Sequence, residues 1–454
     1  MRYAIILAAG KGTRMRSNEN KVMQAILNKP MIGHVLDNLE EVDTDQTIVV
    51  TGYQEAGIKN YLKDRVEYAT QDEQKGTADA VSKATQLYNK KGSTLLLYGD
   101  SVLIQKETLK RIFDAHDNHD LTIVSANVKN PGRYSRVIRD TQGNIKKIVD
   151  SRNATELEAT SNEINLGVYC FNNELLFKYL SEIKDDTRDE LNISDLVSIM
   201  RKNGHDIQGL RVEDPREFMG VNNRVELAEA NLWLRDKINR EHLENGVSIL
   251  DPMNTYIGVD VKIETDVVIE PNTFIYGNSV IKEGAHICSG SFINDSVIGK
   301  KSMIINSRIV DSKIGTETTV GPYAHIRNHS DIRNHVRVGN FVEMKNTVVK
   351  DHTATAHLTY LGDAEVGEHV NVGCGVVTIN YDGNKKHKTI IGDHTFVGSQ
   401  SGLVAPLTIG ENVVIAAGSV ITEDVETGDF AIARSRQTIK PGKGKQYLNE
   451  KGKI

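Results

Sequence analysis

The sequence predicts an α/β chain in two unlike parts: an α/β sandwich over residues 1 to about 225, then a solenoid of short strands from about 251. Three observations predict it. The first part alternates near-continuous apolar runs with amphipathic stretches. The second carries an isoleucine or valine at every sixth position over long segments. Between them lies one long helical pattern that stops at Gly246.

The runs "YAIILA", "QTIVVTG", "STLLLYGD" and "LTIVSANV" are apolar on both faces, which suits parallel strands covered on both sides. Amphipathic stretches separate them. "KPMIGHVLDNLEEV" places Pro30 where a helix can begin, and "TADAVSKATQLYNK" continues the alternation. "ISDLVSIMRKNG" offers Ser194 as N-cap and Gly204 as a stop. Strand–helix alternation of this kind builds an α/β sandwich. The helix "NRVELAEANLWLRDKINREHLENG" links the halves. The expected boundaries are therefore 1–225, a helical linker at 226–250, a solenoid at 251–437 and a Gly- and Lys-rich tail at 438–454 without stable order.

In the solenoid the anchors run Ile257, Ile263, Ile269, Ile275, Ile281, Ile287 and Ile293. The period slips at 298–314, resumes at Val320, Ile326, Ile332 and Val338, and returns at Ile391, Val397, Leu403, Ile409, Ile415 and Ile421. Four residues after an anchor stands a small or β-branched residue, so it and the next anchor share one face of a short strand. Glycines after anchors (Gly258, Gly299, Gly315, Gly339, Gly392 and Gly410) are expected where a corner needs positive φ. Helices do not repeat every six residues; stacked strands with sharp corners do.

Bulk properties set the setting. A net charge of −6 argues against non-specific binding to nucleic acid or anionic membrane. Cys170, Cys288 and Cys374 are scattered and odd in number, which gives no disulfide or zinc framework and suits a reducing cytoplasm. The apolar part of "MRYAIILAAG" is too short for a targeting segment and reads as a buried strand.

The stretch "LAAGKGTRM", Leu7 to Met15, follows the first strand, where α/β folds bind ligands. It is no dinucleotide fingerprint, because Met15 stands where a third glycine belongs, and no Gly-Lys-Ser/Thr closes a Walker loop. A glycine loop with exposed N–H groups beside Lys11, Arg14 and Lys21 suits an oxyanion chain longer than one phosphate. A tight turn with solvated charges fits the same letters.

"LAAGKGTRM", followed by "KVM", is similar to the signature of sugar-1-phosphate nucleotidyltransferases. Further stretches extend the likeness from about residue 2 to 440: "QKGTADA" at 74–80, "YGD" at 98–100, "GVNNR" at 220–224, "GNFVEMK" at 339–345, "HLTYLGDAEVG" at 357–367 and "INYDG" at 379–383. Taken in order, they resemble the bacterial family that joins N-acetylglucosamine-1-phosphate uridyltransferase to glucosamine-1-phosphate acetyltransferase. The resemblance implies an N-terminal Rossmann-like nucleotidyltransferase sandwich and a C-terminal left-handed parallel β-helix of hexapeptide repeats. It also implies a cytoplasmic homotrimer with the acetyl site between subunits.

For the first reaction, uridylyl transfer from UTP with release of pyrophosphate, the resemblance assigns Leu7, Ala8, Ala9, Gly10, Gly12, Arg14 and Lys21 to UTP and the UDP-sugar, with the loop at 10–14, Arg14 and Lys21 meeting the phosphates. Gln71, Gln74, Gly76 and Thr77 go to the uracil and nucleotide, with Tyr98 and Gly99 beside them. Asp100 and Asn222 go to Mg2+, as a carboxylate and an amide oxygen among phosphate oxygens. Read without the family, Asp100 is a turn residue and Asn222 a helix N-cap. The sugar side departs from the pattern. "RYSR" puts Ser135 at a usual glycine, "IVDSRNA" puts Asp150 at a usual glutamate, and "EINLGV" keeps Asn165 but puts Leu166 at a usual threonine. Altered sugar selectivity, an impaired uridyltransferase half or a different sugar-1-phosphate are the alternatives this raises.

For the second reaction, N-acetylation of glucosamine-1-phosphate by acetyl-CoA, the resemblance makes His357 the general base. Arg327, Lys345 and Lys386 match phosphate-binding positions, and Tyr360, Asn371, Asn380 and Tyr381 match sugar-binding ones. Asn380 and Tyr381 also stand with Cys374, Ser399, Ala417 and Arg434 in the acetyl-CoA set. Independently of the family, "NYDGNKKHK" at 380–388 interrupts the six-residue period, and such insertions map to a binding face. A regulatory subunit on a similar fold would be expected to lose Lys21, Asp100 and Asn222; all three are present.

Overall fold

A computed structural model describes residues 1–183 and 190–450, the last two by backbone only. It divides into two compact units, Met1–Leu234 and Arg235 onward.

In the first unit the four apolar runs form strands Arg2–Leu7, Gln46–Thr51, Ser93–Tyr98 and Leu121–Asn127. They lie in one sheet with Glu67–Thr70, Glu163–Asn172 and Ile207–Arg211. The long strand Glu163–Asn172 runs antiparallel between Ser93–Tyr98 and Leu121–Asn127. Every second residue of Arg2–Leu7 enters the opposite core: Tyr3, Ile5 and Leu7 pack on one face, Ala4 and Ile6 on the other. Covering both faces buries these strands completely, which is why they read as continuous apolar runs. The central strands end at Leu7, Thr51 and Tyr98, and the candidate ligand loops follow them.

Two helices differ from expectation. The stretch at 77–90 is helical only over Thr77–Ser82, followed by a separate 3-10 turn at Thr85–Leu87. Ala84 and Leu87 are fully buried, and the broken path carries both into the core. Ser194 does occupy the N-cap of helix Asp195–Lys202, but its side chain makes no capping bond.

In the second unit, parallel strands of two to four residues stack into three sheets of eleven, ten and nine strands. This is a left-handed β-helix of hexapeptide repeats, with one strand of each coil in each sheet. Ile257 pairs with Ile275, eighteen residues on, and Ile275 with Ile293. The slip at 298–314 reflects shorter coils, since Ile298 pairs with Ile314 and Ile293 with Ile309. Anchors such as Ile275, Ile293, Ile326 and Val397 have no exposed surface. Strands of one sheet lie ~4.8 Å apart, so one side chain per coil makes a column along the helix.

The glycines after the anchors are not at positive φ, contrary to expectation. Their hydrogen is needed because the next coil's backbone lies against the Cα. A Cβ on Gly299 would stand 2.3 Å from Gly315, and one on Gly339 2.4 Å from Ala356. The left-handed corner positions are taken instead by residues such as Asn306, Asp311 and four histidines. Those histidines, His335, His352, His369 and His394, stack ring on ring at 4.8, 4.8 and 5.1 Å.

The linking helix spans Arg224–Glu244 and ends before Gly246 at φ 87°. In the tail, expected to lack order, a helix stands at Lys443–Glu450, although the residues before it from Arg434 are exposed. The run Lys-Gln-Tyr-Leu-Asn-Glu contains no proline or glycine to stop it. Residues 451–454 of the expected tail lie outside the described residues.

Candidate active sites

In the first unit a cavity of about 350 Å3 opens where the central strands end. Leu7, Ala8, Ala9, Gly10, Lys21, Gln71, Gln74, Gly76, Thr77, Tyr98, Asp100 and Asn222 line it. Gly12, Arg14 and Gly99 are not lining residues, but the first two contact residues that are, Gly12 against Lys21 and Arg14 against Asn222. Gly12 sits at φ 58°, and a Cβ there would come within 2.6 Å of the Lys21 Cβ. Only glycine lets the loop cross Lys21 this closely. The buried Met15 anchors the loop from beneath.

Three segments far apart in sequence meet at Asn222. Its Oδ1 accepts from the Arg14 guanidinium at 3.0 Å and from Lys21 Nζ at 3.3 Å. Lys21 Nζ also donates to Asp100 Oδ2. Asn222 does not cap the helix. Asn223 does, accepting from the backbone N–H of Val225 at 2.9 Å and Glu226 at 3.0 Å. That leaves the Asn222 oxygen facing the cations. Burial raises the Tyr98 phenol to about 12, with the Asp100 charge adding to it, so this ring is a neutral wall. Gly76 is fixed by its surroundings: φ is 111°, and a Cβ would stand 2.5 Å from Leu191 O.

The sugar-side residues fall elsewhere. Ser135 and Asp150 line a second cavity, also about 350 Å3. Glu190 and Asn192 line both cavities and form their common wall. Sequence reading missed these two, which carry no motif. Asp150 is gripped by Arg152, whose Nε and terminal nitrogen each donate at 3.0 Å. Asn165 is in neither lining. Its amide donates to Tyr169 OH at 2.7 Å, and its backbone N–H to Ser135 O at 2.8 Å.

In the second unit the phosphate candidates come together. Arg327 and Lys345 are register partners at the ends of strands His325–Arg327 and Glu343–Lys345. The insertion 380–388 leaves the same sheet after Ile379, and it delays the next pairing, so that Val366 pairs with Ile391. It brings Lys386 against Lys345. The Lys386 ammonium, then burial and Arg327, hold Lys345 below its usual value, opposed by Asp363. Asp363 also orients the base of the insertion through Asn380 at 2.5 Å. Tyr381 bridges to Lys386 across the insertion. Tyr360 begins the next strand of the same sheet, paired with Glu343.

His357 is exposed in the corner that feeds this strand. His357 and Leu358 are consecutive residues in the left-handed region, φ 64° and 58°. Backbone hydrogen bonds then trace one corner column: Gly375 N to His357 O at 2.9 Å, Gln400 N to Cys374 O at 2.7 Å, and Gly418 N to Ser399 O at 2.8 Å. The Arg434 guanidinium continues it, donating to Ala417 O at 2.8 Å. His357, Cys374, Ser399, Ala417 and Arg434 thus occupy successive coils. Asn371 does not join them. It lies in the eleven-stranded sheet, paired with Ala354 and Phe396.

One grouping was invisible in sequence. Ligand atoms of Glu270, His286 and Cys288 lie within 4.8 Å of one another on neighbouring coils. Glu270 is already satisfied there by His286 Nε2 at 3.0 Å and Ser289 N at 2.9 Å. Among the described residues, no helix is long and apolar enough to cross a membrane.

The first unit, with its loop-lined cavity, defines a nucleotidyltransferase; the second, a hexapeptide-repeat transferase. Residues 3–214 match the nucleotidyl transferase family, and 388–423 the hexapeptide repeat of succinyl-transferase. The bifunctional protein GlmU of Staphylococcus carnosus is 52% identical over 453 residues, 99% of either chain. That of Staphylococcus saprophyticus is 45% identical over 445 residues, 97% of this chain and 99% of that one. A solved UDP-glucose pyrophosphorylase aligns at 19% identity over 52% of this chain and 99% of that one, with a TM-score of 0.43. The chain belongs to the GlmU family and is a bifunctional enzyme, a uridylyltransferase and acetyltransferase in one polypeptide.

Proposed function

We propose that the two cation-gathering sites divide the work as follows. In the first unit an oxygen of N-acetylglucosamine-1-phosphate attacks the α-phosphorus of UTP, and pyrophosphate leaves. The nucleophile is already an anion, so no general base is needed; the difficulty is bringing like charges into line. Arg14 and Lys21 neutralise the triphosphate, the Gly10–Gly12 loop offers its N–H groups, and Gln71, Gln74, Gly76 and Thr77 seat the nucleoside. Asp100 and Asn222 fit a divalent cation: two hard oxygens, one charged and one neutral, already converge on the Lys21 ammonium. Mg2+ bound by this pair supplies charge neutralisation at the phosphates. The sugar lies toward Ser135 and Asp150, where the shortened carboxylate held by Arg152 alters selectivity.

In the second unit Arg327, Lys345 and Lys386 bind the phosphate of glucosamine-1-phosphate, with Tyr360 and Asn380 at the sugar. His357 takes the proton as the amine attacks the thioester carbonyl, and the coenzyme thiolate leaves. The corner column from Cys374 to Arg434 carries acetyl-CoA; its coils rise ~4.8 Å each, which suits an extended pantetheine arm. Asn371, on another face, serves the site from a neighbouring subunit. Exposed apolar side chains on the coils, among them Tyr323, Phe341, Phe396 and Val420, support a trimer. The enzyme works in the cytoplasm.

The observation that carries the reading is the convergence of Lys21, Asp100 and Asn222 on one cavity, with Arg14 reaching Asn222 from a segment some two hundred residues away. The test is product analysis from glucosamine-1-phosphate, acetyl-CoA, UTP and Mg2+, with each omitted in turn. Asp100→Asn is expected to abolish uridylyl transfer and spare acetylation, and His357→Ala the reverse, each by about 10²- to 10⁴-fold. A variant that lowers both activities equally defeats the assignment.

A further inference from the structure

Gln71 is 3% exposed, lines the nucleotide cavity, and is not free to turn. Both hydrogens of its Nε2 are spent: one goes to Gly76 O at 3.1 Å, the other to Asp79 Oδ2 at 2.8 Å. Asp79 sits in the first turn of helix Thr77–Ser82, outside the cavity lining. Its other oxygen takes Lys83 Nζ at 2.9 Å. A carboxylate only accepts, so the amide nitrogen must face Asp79 and the carbonyl oxygen is the end left for a ligand. Among the described residues nothing donates to that oxygen. Gly76, locked against Leu191, holds the second acceptor in place.

We propose that Asp79 is a positioning residue that fixes the Gln71 amide with its oxygen toward the base, and so makes the pocket selective for imide bases over cytosine. This rests on the reading that the cavity takes UTP. Uracil and thymine present an N3–H donor between two carbonyls; cytosine presents a bare N3 acceptor. A fixed acceptor meets the first and is left unpaired against the second, and an unpaired buried polar group is costly. A freely turning glutamine would serve either base.

The experiment compares kcat/KM for UTP and CTP in the wild type, Asp79→Asn and Asp79→Glu. Asparagine can turn its own NH2 toward Gln71 and so removes the charged bar to the reversed amide, leaving only the neutral Gly76 carbonyl against it; glutamate keeps both. The UTP-to-CTP ratio is expected to fall by about tenfold or more in Asp79→Asn, through a higher KM for UTP, and to be kept in Asp79→Glu. If Asp79→Asn lowers both nucleotides by one factor and leaves the ratio unmoved, Asp79 is only structural and the proposal is wrong. A second measurement needs no variant: calorimetry of the wild type with UDP, N3-methyl-UDP and CDP. The methylated and cytosine nucleotides are expected to bind at least about tenfold more weakly; equal binding overturns the proposal. A wild type that neither binds nor turns over any uridine nucleotide overturns the underlying reading, and the proposal falls with it.

Discussion

Lys386→Met tests the acetyl-transfer site where its electrostatics are most unusual. Three cations share one corner of the β-helix, and Lys345 is held below its ordinary value chiefly by Lys386. A site that crowds like charges suits an anion, because a bound anion relieves the repulsion that its own carboxylates leave. Removing Lys386 deletes one of three charge-assisted contacts to the phosphate, and one such contact accounts for about 10- to 100-fold in affinity. The KM for glucosamine-1-phosphate should rise by that factor, while kcat changes little, since His357 lies in another corner and is untouched. The assay is release of the coenzyme thiol, followed with a disulfide dye at saturating acetyl-CoA. A companion measurement reads the charge itself. With Lys386 gone, Lys345 returns toward its usual value and reacts more slowly with an amine-directed reagent at pH 8. The variant should also show a weaker salt dependence of KM. An unchanged KM, or a fall in kcat at constant KM, refutes the phosphate assignment. Unaltered Lys345 reactivity refutes the crowding.

Other perturbations separate structure from chemistry in the first unit. Asn223→Ala removes the cap of helix Arg224–Glu244 and should cost about 1 kcal/mol in urea unfolding, with uridylyl transfer retained; Asn222→Ala should do the opposite. His116 is 3% exposed, and burial, helped by His119, lowers it to about 4. The unfolded chain therefore takes the proton first. Stability from this group is complete above pH ~6.5 and is lost as pH falls toward 4, by about 3 kcal/mol in all. Urea midpoints at pH 7.5, 5.5 and 4.5 should show the decline, and His116→Gln should flatten it. Gly12→Val, which drives a Cβ into Lys21, should raise the KM for UTP at least tenfold without moving acetylation; unchanged UTP kinetics would show that the loop does not hold the triphosphate.

How much of this was legible in the letters depended on whether the cause was local. Strands Arg2–Leu7 and Ser93–Tyr98 announced themselves because burial on both faces leaves no alternation to disguise them. The β-helix announced itself because each anchor faces a dry axis. The glycines after the anchors were noticed for the wrong reason. Positive φ is a property of one residue, whereas the approach of Gly315 to Gly299 belongs to two coils, and a single coil cannot show it. The same holds at Asn222 and Asn223. Both letters are good caps, and only the fold decides that Asn223 takes the helix and Asn222 the cations. Asp79 was inside a quoted motif and still unseen, since its meaning lies in which end of Gln71 it holds.

The two scaffolds solve the same problem by different routes, and the difference explains the asymmetry in how the sites read. In the sandwich, cations and oxygens reach one point from loops after separate strands. A compensating pair can therefore form, and Lys21 rests against Asp100. In the β-helix the coil spacing is set by backbone hydrogen bonds at ~4.8 Å, so side chains at matching positions are forced into columns whatever their charge. Arg327 and Lys345 are neighbours by register, and the insertion adds Lys386 to a column that cannot spread. Arg327 relieves its own charge against Glu343 at 2.5 Å, and Asp363 offsets part of the rest. What remains uncompensated is centred on Lys345 and Lys386, which is where the proposed function places the phosphate. On that proposal the insertion supplies the site's affinity rather than decorating the coil. A chain with residues 380–388 replaced by a regular turn should keep its β-helix and lose glucosamine-1-phosphate.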